Sequence, residues 1–271
     1  MDIQTLVANA KALYDSFQLE EAQQLYKQAF SLVENESIPS ELLDGYAELC
    51  VASGDTEAAK ELYTESVKLY PTENISKYLW LAQMHSGREA LQLYQAAIEA
   101  MRDSQEHKSS LATAYSAVAE LYMTDLCDEP EAEETCEQCI QNALAADPNC
   151  IDAYQALANL RLVRNRVEEA QSACQTLLSL LKSTENLPSV QFLGEVARNL
   201  IEVQNFEGVV KVCKLGLAVD ESNDELLYMQ GFGLCKLERT EEAKEVVEVL
   251  LQRNLSPEIR EATQELNSLL V

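Results

Sequence analysis

Glycine and proline are scarce in this sequence, with 8 and 6 among 271 residues. That argues against a protein of strands and tight hairpins, whose turns need residues that tolerate positive φ. It leaves helix as the economical use of a chain that is 47% hydrophobic. Basic residues are also few: 20 Lys and Arg stand against 46 Asp and Glu, a formal net charge of −26. A surface of that sign repels phosphate backbones and anionic lipid, so neither direct nucleic-acid binding nor a membrane is the expected partner, and a basic protein is the natural complement. Only two histidines are present. His85 falls at the aromatic position of a helical pattern, where packing explains it, and His107 lies in the polar stretch DSQEHKSS, expected to be exposed; neither joins a triad. No apolar run reaches membrane-spanning length, and MDIQTLVANAKALYDS lacks the basic, apolar and small-residue order of a secretory signal. The expected setting is therefore intracellular, where the 8 cysteines serve as small core residues rather than as a disulfide framework.

What is present is a repeat. A small residue recurs on alternate helical segments at Ala10, Ala47, Ala82, Ala119, Ala158, Ala197 and Gly231, at intervals of 34 to 39 residues. Its partner on the next segment falls at Ala22, Ala59, Ala90, Cys136, Ala170, Val209 and Ala243, and in five of the seven pairs the separation is 12. Small side chains at such positions let two helices approach closely, whereas larger ones would wedge them apart. The tetratricopeptide signature can be laid on Tyr154, Leu157, Ala158, Ala170, Cys174 and Leu177, and again on Leu43, Tyr46, Ala47, Cys50, Gly54, Ala59, Tyr63 and Pro71. The predicted fold is all-α: a right-handed superhelical solenoid of about seven tetratricopeptide-like hairpins, a single domain over residues 1–271. A capping helix is expected within it over 256–270, with Ser256 as N-cap, Pro257 as first residue and Ile259, Ala262, Leu266 and Leu269 as the buried stripe. The spacer LKSTENLPS, 181–189, is a candidate hinge.

Two hairpins break the spacing. From Ala82 to Ala90 the separation is only 8, which predicts a tight turn at Gly87; from Ala119 to Cys136 it is 17. The extra residues carry Asp125, Asp128, Glu129, Glu131, Glu133 and Glu134, which places these acids on the inter-helix loop and in the first turn of the next helix, where the macrodipole favours them. Cys136 and Cys139 have a spacing that zinc sites use, but they occupy helix-packing positions with no histidine near them, so thiols filling a core are expected and no metal. GFGLCK, 231–236, lies inside a helical repeat rather than between a strand and a helix, which removes it as a phosphate loop. Neither catalysis nor a cofactor is expected.

The remaining candidate is the groove lined by the first helix of each hairpin. The register turns Glu41, Asp44, Glu48, Glu120, Asp152, Gln155, Asn159, Tyr228 and Phe232 toward it, with Val7, Lys11, Gln83 and Arg198 alongside. Glu41, Asp44 and Glu48, spaced by three and four, form one acidic stripe on one helix face, expected to be exposed.

Three segments, KYLWLAQMHSGREAL, AELYMTDLCDEPEAEETCE and ARNLIEVQNFEGVVKVCKLGLAVDESNDELLYMQGFGL, together resemble the dedicated assembly chaperones of the large-subunit ribosomal protein number four. The resemblance rests on the shortened third hairpin, the YMTDLC insertion and the late Leu-Tyr-Met-x-Gly-Phe segment in that order. It implies a protein of the cytoplasm and nucleus that binds the newly made ribosomal protein, shields its internal basic loop and releases it at the pre-60S ribosome. The alternative is a generic tetratricopeptide scaffold in a stable multiprotein complex.

Overall fold

The computed structural model describes residues 1–33, 38–104, 106–183 and 187–270. Among these it is entirely helical, with α1 Ile3–Asp15, α2 Leu19–Ser31, α3 Ser40–Ala52, α4 Thr56–Leu69, α5 Ser76–Gln83, α6 Gly87–Met101, α7 Lys108–Met123, α8 Ala132–Ala146, α9 Ile151–Val163, α10 Val167–Leu181, α11 Val190–Glu202, α12 Phe206–Val219, α13 Asp224–Lys236, α14 Thr240–Leu251 and α15 Pro257–Leu269. These make seven consecutive hairpins and one final helix, grouped into two compact units, Met1–Asp147 with α1 to α8 and Pro148–Val271 with α9 to α15. The middle of the candidate hinge, 184–186, lies outside the described residues.

Every position of the small-residue register is buried. In the first unit Ala10, Ala22, Ala47, Ala59 and Ala119 are inaccessible and Ala82, Ala90 and Cys136 nearly so; in the second, Ala158, Ala170, Ala197, Val209, Gly231 and Ala243 are likewise enclosed. Around them the first unit packs Leu6, Tyr26, Leu42 and Leu49, and the second packs Cys174, Leu177, Leu193, Leu200 and Cys213. Helix starts are written locally: Asp2, Asp55, Ser189, Asn205 and Asn223 each accept from a backbone N–H in the first turn of their helix.

The five hairpins with a separation of 12 also share a turn. Seven residues after the small residue, Phe17, Gly54, Asn165, Gln204 and Glu238 all have φ between 55° and 78°, the left-handed step that ends one helix and admits the next. In the shortened hairpin Gly87 takes this conformation instead, as expected for a tight turn, and in the lengthened one it is Glu131 that does.

The two irregular hairpins fit each other. The N-cap Ser86 makes no side-chain bond to its helix, and the backbone N–H of Gly87 donates instead to Asp125 Oδ2 at 2.7 Å, from the loop between α7 and α8. Beside it Arg88 Nε donates to Glu129 Oε1 at 3.1 Å. The added residues of the fourth hairpin thus cap the helix start left bare by the missing residues of the third. Glu133 and Glu134 stand in the first turn of α8, where the sequence predicted acids complementing the dipole.

At the C-terminus Ser256 accepts from the N–H of Ile259 and Pro257 opens α15, as its sequence dictates. Its buried stripe departs from the expected one at Ala262, which is half-buried while the neighbouring Thr263 is enclosed, and at Leu269. Leu269 is exposed, and Leu270, one residue on, turns inward with Thr263 and Leu266 against Leu234, Ala243 and Val247. The inward face runs through Ile259, Thr263, Leu266 and Leu270 at spacings of four, three and four, so Leu270 keeps the helical period and Leu269 falls beside it.

Candidate functional site

In the first unit α1 and α3, with Tyr26 of α2 and the loop between α4 and α5, enclose a cavity of about 570 Å³. Glu41, Asp44 and Glu48 come to it from α3, Lys11 and Tyr14 from α1, and Glu73 and Asn74 from the loop. The predicted acidic stripe is therefore gathered in one place.

Its three members are not alike. Glu41 is exposed and Glu48 half-buried, but Asp44 is only 6% exposed, which corrects the expectation of a uniformly exposed stripe. Asp44 Oδ1 accepts from the hydroxyl of Ser66, and Oδ2 accepts from Asn74 Nδ2 at 2.9 Å. The same Ser66 receives the ammonium of Lys77 at 3.0 Å on both its hydroxyl and its carbonyl oxygen, and Lys77 also donates to the carbonyl of Tyr70. Lys77 is completely enclosed. Burial pulls its ammonium below the ordinary lysine range, while Asp44 and Glu73 draw it back up. Asp44 is thus bound inward, tying α3 to α4 and to the loop, and through Ser66 to Lys77 of α5. Sequence spacing gave no sign of this, because the partners lie 22 and 30 residues away.

Glu48 has a different setting. Burial raises its carboxyl above the usual range, Lys11 lowers it, and Asp44 and Asp15 raise it further, so this carboxylate is partly desolvated among charges mostly of its own sign. Beneath it Tyr26 is 1% exposed and stacked on Tyr46, with ring centroids 5.5 Å apart. Burial first, then Glu48 and Asp15, push the Tyr26 phenol up to about 12. The Tyr26 hydroxyl reaches over Gly45, where a Cβ would stand only 2.6 Å from it, so a glycine is required there for the ring to take this place.

The other predicted residues are dispersed. Glu120 is exposed near the end of α7. In the second unit Gln155 is buried, not open to a ligand, and donates to Glu195 Oε2 at 3.1 Å. Asp152 and Asn159 are half-buried on α9. Tyr228 and Phe232 are half-buried on α13, stacked at 6.4 Å, with Phe206 edge-on to Phe232 and the Lys236 ammonium 5.3 Å from the Phe232 ring. Arg198 is exposed and paired with Glu225 at 2.8 Å.

Cys136 and Cys139 are buried on α8, and burial pushes the Cys139 thiol up to about 11. His85 follows α5 rather than packing within it, with Nδ1 2.8 Å from Glu89 Oε2, and His107 sits half-exposed at the N-cap position of α7. GFGLCK runs within α13.

No protein-family model matches the chain. A protein of Schizosaccharomyces pombe named probable assembly chaperone of rpl4 is 33% identical over 195 residues, covering 67% of this chain and 57% of that protein. One of Emericella nidulans with the same name is 27% identical over 259 residues, 89% of this chain and 67% of that one. In sequence and in fold, the chain is similar to assembly chaperones of rpl4. The fold comparison is with the solved structure of Assembly Chaperone of RpL4 (Acl4), residues 1–338, at a TM-score of 0.77 and 24% identity, covering 90% of this chain and 100% of that one. A tetratricopeptide repeat protein from Parabacteroides merdae superposes at a TM-score of 0.61 with 16% identity, which places the fold among such repeats. The chain spans 57% and 67% of the lengths of the two curated relatives.

Proposed function

We propose that this protein is a non-enzymatic chaperone whose client is the large-subunit ribosomal protein named in its relatives, held through a basic segment until the protein is delivered to the assembling pre-60S particle. The observation that carries the reading is the cavity of the first unit, where Glu41 and Glu48 face the opening without an ion pair to any described residue, in a chain of net charge −26. A segment that binds ribosomal RNA is basic and unstructured before assembly. Distributed carboxylates accelerate its capture and suppress its binding to other polyanions. Exposed ion pairs contribute only about 0.2–1 kcal/mol each, so RNA phosphates can take the segment over without nucleotide hydrolysis. Work in the cytoplasm and nucleus belongs to the same reading.

The test is association with the internal basic loop of that ribosomal protein across a salt series. Affinity is expected to fall steeply with salt, and Glu41→Lys with Glu48→Lys is expected to slow association most at low salt. Asp44 is left in place, because its carboxylate holds the fold. A scaffold in a stable complex would show weak salt dependence and would stay with its partner.

A further inference from the structure

Two features of the cavity exceed what a generally acidic surface requires. Tyr26 is almost wholly enclosed, yet no described residue hydrogen-bonds to its hydroxyl, which is aimed over Gly45 into the cavity wall. The hydroxyl itself is not sealed in the core, as that of Tyr63 is, but keeps open surface where Tyr26 lines the cavity, so it is available to a ligand there. Three residues along α3 from Gly45, Glu48 is half-buried with no bonded partner among the described residues; Lys11 acts on it from across the cavity, and Asp44 and Asp15 add charges of its own sign. An acceptor without a donor and a hydroxyl without a partner thus share one wall.

We infer that this cavity is a specific subsite for an arginine of an extended basic chain, its guanidinium donating to Glu48 and to the Tyr26 hydroxyl while displacing the influence of Lys11. The inference deepens the proposed function and rests on it. Arginine suits the site better than lysine, because a planar fork of five donors can serve a carboxylate and a neighbouring oxygen together, whereas an ammonium acts as a point charge. The volume, about 570 Å³, is in the range of clefts that bury a small-molecule-sized ligand, enough for an arginine side chain with its adjoining backbone. Glu41 stands two turns before Glu48, about 10 Å along the helix at 1.5 Å per residue. An extended chain covers that distance in about three residues at roughly 3.1–3.3 Å each, so a second basic residue three positions from the arginine would meet Glu41.

The test uses the full chain and a fluorescent nine-residue peptide, otherwise neutral, with arginine at positions 3 and 6, and a control with citrulline at both. Wild type is expected to bind the arginine peptide about a hundredfold more tightly than the control, since citrulline loses the charge-assisted bonds at both Glu48 and Glu41. On the same scale, Glu48→Gln should weaken it about tenfold and Tyr26→Phe about threefold, while Lys11→Gln should strengthen it about twofold. Tyr26→Phe should melt where wild type does, since the hydroxyl bonds nothing in the described fold. Glu245→Gln with Glu248→Gln, exposed on α14, should leave binding unchanged. If the peptide binds all variants alike, or is weakened equally by the α14 pair, the subsite is wrong although the protein still binds basic chains. If the peptide does not bind but the longer basic loop does, the subsite again falls alone. If neither binds, the proposed function falls with it.

Discussion

Phe17 occupies a backbone position that its side chain disfavours. It has φ of 58° at the turn between α1 and α2 and is 88% exposed, where the equivalent residue of the second hairpin is Gly54. A side chain in the left-handed region costs about 1–2 kcal/mol, part of which glycine returns through its greater unfolded entropy. Phe17→Gly is therefore expected to raise stability by about 0.5–1 kcal/mol in denaturant unfolding. Lys77 is the opposite case, a buried charge whose three hydrogen bonds link the end of α4 to α5. Lys77→Met would strand two carbonyls and leave Asp44 and Glu73 uncompensated, and removal of one partner from such a network costs about 3–5 kcal/mol. Glu48 makes a pH prediction. Its carboxyl is raised in the fold, so the folded state holds the proton more tightly and this group's contribution to stability is lost as pH rises through the raised value. Glu48→Gln should accordingly melt higher than wild type at neutral pH, and the difference should vanish below the ordinary carboxylate range.

At the scale of elements, the irregular third and fourth hairpins behave as a pair. The start of α6 has no cap of its own and borrows Asp125 from the next hairpin, 38 residues away. Loss of such a cap costs about 0.5–2 kcal/mol. Asp125→Ala should speed amide exchange in the first turn of α6 while leaving α2 and α4 unchanged, and equal exchange throughout would show that the contact contributes nothing. The shortened turn at Gly87 and the excess of acids after α7 could both be read from spacing and composition. Their meeting could not, because nothing in a one-dimensional pattern says which carboxylate will reach which helix start. Leu269 and Leu270 make a similar point at the final helix: helical spacing from Leu266 allows either at three or four residues, and only the packing against Leu234, Ala243 and Val247 selects Leu270.

For the whole molecule, the seven hairpins among the described residues followed from small residues recurring every 34 to 39 positions, because close helix packing tolerates little else there, and the final helix followed from Ser256 and Pro257 at its start. The acidic balance likewise followed from composition. The candidate site was legible only in part. Glu41 and Glu48 were found by helical spacing, but the same spacing could not separate them from Asp44, nor leave Gln155 out of a binding surface, since burial depends on which side chains arrive from elsewhere in the chain. Tyr26 and Gly45 carried no signal of their own: one resembled any core aromatic, the other any helical glycine. The sequence determined the helices, their pairing and the sign of the surface, all set by local period and by charge. Tertiary structure alone decided which carboxylates are spent inside the fold and which stay open, because desolvation and hydrogen-bond partnership arise only when distant segments meet.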